Sequence, residues 1–553
     1  MKQPLRIVAL FCAFIFCFAM MAGCTGNQTD PDSSGGKNGT NGNRESIIRL
    51  TADSTPTLDP ASHTGNASAI AYCNLYDTLV FPTAEGVEPD LAESWEANAE
   101  GTAFTFKLKK GVKFHDGTEL KASDVVFTMK RMQEMGEGFA YLYQGIVKDV
   151  TADDDYTVTF KLATAYGPFV STLCRLYILN EELVMANKKD GAYGANGDYG
   201  REWLLQNDAG SGPYKVKEMV QNDYFLAEKF DDWHKGWEGR GNTAKEFKII
   251  YGTEAATVRT MMSTQKLEIS DPWQSTESYN ALDKLDGVSI ANYSTRLMQN
   301  VIFNCKKPPM DDINVRKAMC HLLDYETLLK VAFTGSKQPA GPVSFFTAGH
   351  VDCTQYEYSI DKAKELIGQS KYADTIGDYT LEFLQISDNE FLGKVALQLQ
   401  AAAKEVGVTI KIEKATWNIY QERVSNSESA PHITSCNSGP SFNEAGATLE
   451  SQFHTKTAGS YENSSWSGSP ELDARIADAM ATLDKEERFK KYEVLQHYVT
   501  DEICPTAWLA DLTERVAYQE YIKFPVAEAT KEGKVTAYLM GYPFFMPDIT
   551  FVD

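Results

Sequence analysis

The sequence predicts a mixed α/β protein of two or three lobes. Three observations carry that expectation. The chain has 553 residues, more than one ordinary core accommodates. Its apolar content of 43% and charged content of 23% are those of a globular protein. Segments of alternating apolar residues take turns with segments of helical spacing along most of its length. No internal repeat is visible, which disfavours a solenoid or a propeller.

The N-terminus reads as an export signal. Lys2 and Arg6 precede sixteen consecutive apolar residues, Ile7 to Ala22. That run is short for a membrane span and suits the core of a signal peptide. It leads into Ala22-Gly23-Cys24, and small residues before a cysteine mark a bacterial lipobox. Residues 1–23 are therefore the expected signal peptide and Cys24 the expected lipidation site; a simple signal peptide with a chance cysteine is the alternative. Residues 24–46, rich in Gly, Asn, Ser and Asp, have too little apolar surface for a core and predict a flexible tether with a reach of roughly 25 Å. No later apolar run is long enough to span a bilayer, so the body is expected to be lipid-anchored at the extracytoplasmic face, on the cell surface or in the periplasm.

The net charge is −23, and loss of the signal with its two cations makes it −25. Such a surface repels nucleic acid and anionic lipid. Seven cysteines follow Cys24: Cys73, Cys174, Cys305, Cys320, Cys353, Cys436 and Cys504. They are scattered without a CxxC, which argues against a zinc ribbon or a thioredoxin-like motif and for mostly buried free thiols.

The body opens with a strand in "IIRLTAD" and a helix in "ASAIAYCNLYDTLV". Phe104, Phe106 and Leu108 alternate with polar residues, and Val112 and Phe114 resume the pattern after "KKG", which predicts a hairpin. Asp116-Gly117 is turn chemistry. A helix then follows, with Ser123 as the expected N-cap, Asp124 in its first turn and an apolar stripe of Val125, Val126, Met129 and Met132. Further on, "DYTLEFLQIS", "EFLGKVALQLQAAAKEVG" and "VTIKIEKATW" read as strand, helix and strand, with Gly407 just past the helix end.

Catalytic signatures are missing. The sequence contains no HExxH, GxSxG, P-loop or GxGxxG. The eight histidines are isolated and none has a histidine partner at metal-ligand spacing, so surface or capping roles are expected, and neither metal nor cofactor. His115-Asp116 falls in that class, because adjacent residues in a turn diverge.

An ordered set of segments, "TLDP", "NLYDTLV", "EPDLAESWE", "FTFKLKKGVKFHDGTELKASDVVFTMKR", "GSGPYKV", "FNCKKPPMDDINVRKAMCHLLD" and "LQLQAAAKEVGVTIKI", resembles the family 5 extracellular solute-binding proteins from about residue 47 onward. That resemblance implies a periplasmic-binding-protein-like clamp (type II, cluster C) of two lobes with an extra inserted domain. Domain I would comprise 47–81, 206–300 and 516–553, domain II 82–205, and domain III 301–515. It implies a monomeric, non-enzymatic binding subunit of an ABC importer that captures a peptide or peptide-like solute between domains I and III and passes it to permease and ATPase subunits. A non-peptide solute, such as an oligosaccharide or a metal chelate, and a peptide-pheromone sensor are the alternatives.

In peptide binders of the family, an aspartate that pairs with the ligand ammonium follows a tryptophan and precedes an aromatic-Asn-Glu run. Here Phe442, Asn443 and Glu444 match that run. The aspartate position is then Ser441 and the tryptophan position Ser438. Glu444, Glu428 or Glu450 are possible substitutes for the missing acid. The resemblance also places Asn66 and Ser68 in a ligand-facing loop (63–69) and Trp417 and Tyr420 near pocket aromatics, with loop and core roles as their respective alternatives; Trp273 and Trp508 are similar candidates.

Overall fold

The structure, a computed structural model, describes residues 45–387 and 389–552; the signal, Cys24 and most of the tether lie outside them. Two sheet systems make up most of the body. In the first, Ile47–Ala52 pairs parallel to Glu246–Tyr251, and Tyr224–Lys229 and Tyr214–Val220 extend the sheet antiparallel. Ile269 bridges Leu50 to Tyr518 and so links it to the sheet of Glu514–Gln519, Val288–Ser294 and Thr536–Ala537. The second system is five-stranded: Thr409–Ala415, Thr380–Ile386, Ile433–Ser438, Met298–Phe303 and Thr506–Asp511.

The chain crosses between these systems at two adjacent places. One is Thr295–Leu297, between Val288–Ser294 and Met298–Phe303; the other is Leu512–Thr513, between Thr506–Asp511 and Glu514–Gln519. The crossings are bonded to each other, the Leu512 N–H donating to the Leu297 carbonyl at 2.8 Å. A separate antiparallel sheet, Ala92–Ala97, Ala103–Leu108, Thr157–Leu162 and Val147–Asp154, packs its buried Phe104, Phe106, Val158 and Phe160 into the core of the first system. The core of the second is distinct and includes Val301, Phe303, Leu381, Phe383, Leu399 and Leu509.

Most expected elements form, and the differences have local causes. Ala103–Leu108 does not make a hairpin with Val112 and Phe114. Its edges are taken by Ala92–Ala97 and Thr157–Leu162, which pair with it antiparallel along its length. The short hairpin instead closes across the Asp116-Gly117 turn, with Phe114 N–H to Thr118 O and Leu120 N–H to Val112 O, both at 2.8 Å. The next helix starts at Ala122, so Ser123 lies inside it and Lys121 is the capping position. Asp124 fixes that start: its carboxylate reaches back to the Lys121 N–H at 2.8 Å and also accepts from the Glu181 N–H at 2.9 Å. Gly407 follows its helix at φ +77°, a left-handed position that glycine adopts without a Cβ clash. The seven cysteines of the described residues are free thiols.

Candidate functional site

A cavity of about 470 Å³ opens where the two crossings meet. The first sheet system contributes Trp273, Gln274, Thr276, Tyr279, Glu514 and Arg515, and the second contributes Phe333, Ser336, Asn389, Phe391 and Asn437; Gln299 lies just past the first crossing. Each side chain has a traceable position. Asn389 caps the helix Glu390–Glu405, its Oδ1 accepting from the Leu392 N–H at 3.1 Å. Trp273 stays 47% exposed beside Asp271, which accepts its N–H at 3.0 Å and so holds the loop against the opening. Gln299 is anchored through Nε2 to Ser435 Oγ at 3.0 Å and to the Cys436 carbonyl at 2.9 Å.

Glu514 is the unusual member. It is 8% exposed and accepts a 2.6 Å hydrogen bond from Thr295 Oγ1, which ties the second crossing to the first. No Lys, Arg or His forms an ion pair with it among the described residues. Burial pushes its carboxyl up to about 7, with only the Thr295 hydroxyl opposing. Arg515, its neighbour, does not neutralise it; that guanidinium lies over the Tyr279 ring, 4.5 Å from the centroid.

Of the residues singled out from sequence, Trp273 lines this cavity and the others do not. Ser68 is buried in the helix Asn66–Leu75, its Oγ accepting from the Thr57 N–H at 2.9 Å; Asn66, half-buried, opens that helix. Tyr420 is fully buried and stacks with Trp417, centroids 5.7 Å apart, while Trp417 is 40% exposed and meets Tyr461 edge-on. Ser441 bonds Tyr141 Oη at 2.5 Å, and its carbonyl accepts from Arg175 Nε at 3.1 Å. Phe442 is buried, and Asn443 ties the loop to the Ala84 carbonyl at 2.7 Å. Trp508 is core.

The possible substitute acids are differently placed. Glu444 is locked in a buried ion pair with Arg488, Nε at 2.6 Å, and accepts from Tyr492 Oη at 2.7 Å. Glu450 is paired with Lys456, and Glu428 is exposed. Glu514 carried no distinguishing sequence signal: it sits between Asp511 and Arg515 in "AWLADLTERVAY", as an ordinary charge among others.

Three histidines expected in surface or capping roles have buried side chains instead: His115, His234 and His432. His115 donates through Nδ1 to the Asp208 carboxylate, and its Nε2 lies 3.0 Å from the Gly212 carbonyl. The partners are 93 residues or more away, beyond local pattern. His234, Asp77 and Asp90 bring ligand atoms within 4.8 Å of one another, a grouping able to hold a cation. Lys235 Nζ already lies 2.8 Å from Asp90. Burial disfavours charge on His234, yet Asp77 and Asp90 raise it to about 9, so two protein cations offset the two carboxylates.

Two α/β lobes joined by paired crossings around a cavity define a solute-binding protein. The chain belongs to the bacterial extracellular solute-binding proteins, family 5, whose middle region it matches over residues 86–460. Such proteins are binding components of transport systems rather than enzymes. A probable D,D-dipeptide-binding periplasmic protein, DdpA, of Escherichia coli (strain K12) is 27% identical over 465 residues, covering 82% of this chain and 86% of its own. Heme-binding protein A of Haemophilus influenzae is 25% identical over 483 residues, 79% of this chain and 82% of its own. Among solved structures, the ABC transporter-associated periplasmic binding protein DppA from Helicobacter pylori, in complex with the peptide STSA, superposes with a TM-score of 0.74 at 21% identity, covering 92% of this chain and 98% of its own. Among the described residues, no helix is long and apolar enough to cross a membrane.

Proposed function

We propose that the protein is the solute-binding subunit of an ABC importer and holds a peptide or peptide-like solute in the cavity at the two crossings. The carrying observation is that both lobes and the first crossing strand contribute to the walls of one cavity. Its volume falls in the range of small-ligand sites. Bending at Thr295–Leu297 and Leu512–Thr513 then closes the lobes over the solute, a hinge motion needing change in few residues. We read the lobes as domain I (47–81, 206–300 and 516–553) and domain III (301–515), with 82–205 inserted as domain II and the two boundaries at 300 and 515 each a few residues past a crossing. Lipid on Cys24 and the tether 24–46 keep the monomeric receptor near its permease and ATPase partners.

A peptide solute is supported by the E. coli relative named for D,D-dipeptides and by the likeness to a peptide-bound fold. Native mass spectrometry of protein purified from its own cells tests the reading. A set of short peptides released on denaturation is the expected result. A single oligosaccharide or metal chelate would replace the peptide assignment while leaving the receptor role intact.

A further inference from the structure

The family pattern puts an acid at Ser441, and that acid is missing. The nearby acids Glu444 and Glu450 are paired with Arg488 and Lys456, and Glu462, which accepts from Tyr461 Oη at 3.0 Å, does not line the cavity. One carboxylate in the inter-lobe cavity remains without a cation. From this we infer that Glu514 is the cation-binding group of the cavity, and that the solute carries a protonated amine which docks against it. The inference rests on the cavity being the solute site.

The geometry is that of a prepared acceptor. Glu514 is almost fully shielded, lines the cavity and spends one hydrogen bond on Thr295. The groups facing it supply no positive charge to the carboxylate. Tyr279 comes from the helix Thr276–Leu282 and Tyr293 from the neighbouring strand, and both hydroxyls are held neutral by burial. Asp271, close to both tyrosines, is an acid already occupied by Thr51, Trp273 and Gln274. Arg515 is turned onto the Tyr279 ring and bonds Thr276 at 3.4 Å. A buried carboxylate without a counter-charge is costly, and a solute ammonium removes that cost on arrival. Because Thr295 lies in the first crossing and Glu514 directly follows the second, the docked amine acts next to the joint between the lobes.

Arg515 also lines the cavity and forms no ion pair with a carboxylate among the described residues. The cavity thus presents an acid and a guanidinium that do not pair with each other, which suits a zwitterion better than a simple amine. A peptide with a free N-terminus has that chemistry.

The test uses two libraries of tripeptides, one with free N-termini and one N-acetylated, offered to the wild-type protein and to Glu514→Gln. The amide keeps the size of the side chain and can still accept from Thr295, and an unchanged melting midpoint at pH 6 confirms folding. Retained peptides are read by native mass spectrometry. The wild type should retain members of the free library and discriminate against their acetylated forms. Glu514→Gln should weaken retention about ten- to a hundredfold, the effect of losing a hydrogen bond between charged groups. Equal retention of both libraries, or unchanged retention by Glu514→Gln, would overturn the assignment of Glu514 while leaving the peptide site standing. Retention of neither library by the wild type would overturn the peptide reading itself, and this inference with it.

Discussion

Asp208 and Glu514 are both buried carboxylates, and they stand in opposite electrostatic situations. Asp208 accepts from His115, from the Val216 N–H at 2.7 Å and from the Gly210 N–H at 3.1 Å. Burial raises its pKa, but His115 and these donors outweigh burial and hold it below the usual carboxylate range. Glu514 has one hydroxyl and, among the described residues, no cation, and burial pushes it up to about 7. The first acid is completed by the fold. The second is completed only by something that enters the cavity. The same contrast divides the arginines. Arg131 makes a two-pronged pair with Asp59 at 2.7 and 2.6 Å. Arg296, in the first crossing beside Thr295, is 1% exposed, donates through Nε to the Phe346 carbonyl at 2.9 Å and has no carboxylate partner among the described residues; burial lowers it to about 10.

The largest expected effect comes from breaking a completed pair. Arg131→Met leaves Asp59 buried and unpaired and should cost about 3–5 kcal/mol in chemical denaturation. Arg296→Met removes a charge that has no partner to lose, and should change stability by less than about 1 kcal/mol. Similar losses in the two variants would erase the distinction between completed and open charges.

Next in size is His234. Its folded pKa near 9 lies above the ordinary 6.5, so its contribution is fully present below pH 6.5 and is lost as pH rises through about 9. That gap corresponds to about 3 kcal/mol. Denaturation midpoints should fall between pH 6.5 and 9 in the wild type, and the fall should be shallower in His234→Gln. Parallel curves would mean that Lys235 alone balances Asp77 and Asp90.

Glu514 gives a smaller effect, with its sign set by an elevated acid. Its folded pKa exceeds the usual value, so the empty protein loses stability as pH rises from about 4.5 through 7. Glu514→Gln should flatten that segment. Solute binding should run the other way: the ionised acid binds an ammonium better, so affinity should rise from pH 6 to 8 and binding should release a proton near pH 7, as calorimetry in buffers of different ionisation heat would show. Affinity that falls over this range would sink the ammonium assignment.

The smallest effect is expected at the position where the family pattern would have put the acid. Ser441→Ala removes the bond to Tyr141, whose ring is 54% exposed, and should cost about 1 kcal/mol or less, with solute affinity within about threefold. A loss as large as that in Glu514→Gln would return the binding role to the Ser441 loop.

What could be read from the sequence was local. The alternation at Phe104, Phe106 and Leu108 gave the buried face, and Gly407 gave a helix end, because both depend on residues a few positions apart. The same local reading mispaired Ala103–Leu108, since its true partners are set by the whole sheet. His115 looked like a turn residue because its partner Asp208 is 93 positions away. The cavity was harder still. Glu514 is distinguished by what it lacks, a cation, and the lack is apparent only when every neighbour is in place. Glu444 showed the converse: its motif matched, yet Arg488 and Tyr492 had already claimed it.

The most direct measurement is a structure of the protein with its retained peptide. The account predicts the peptide's amine nitrogen within about 3 Å of a Glu514 carboxylate oxygen, with Thr295 still bonded to Glu514. A peptide in the cavity whose amine lies elsewhere, with Glu514 still bonded to Thr295 alone, would contradict it.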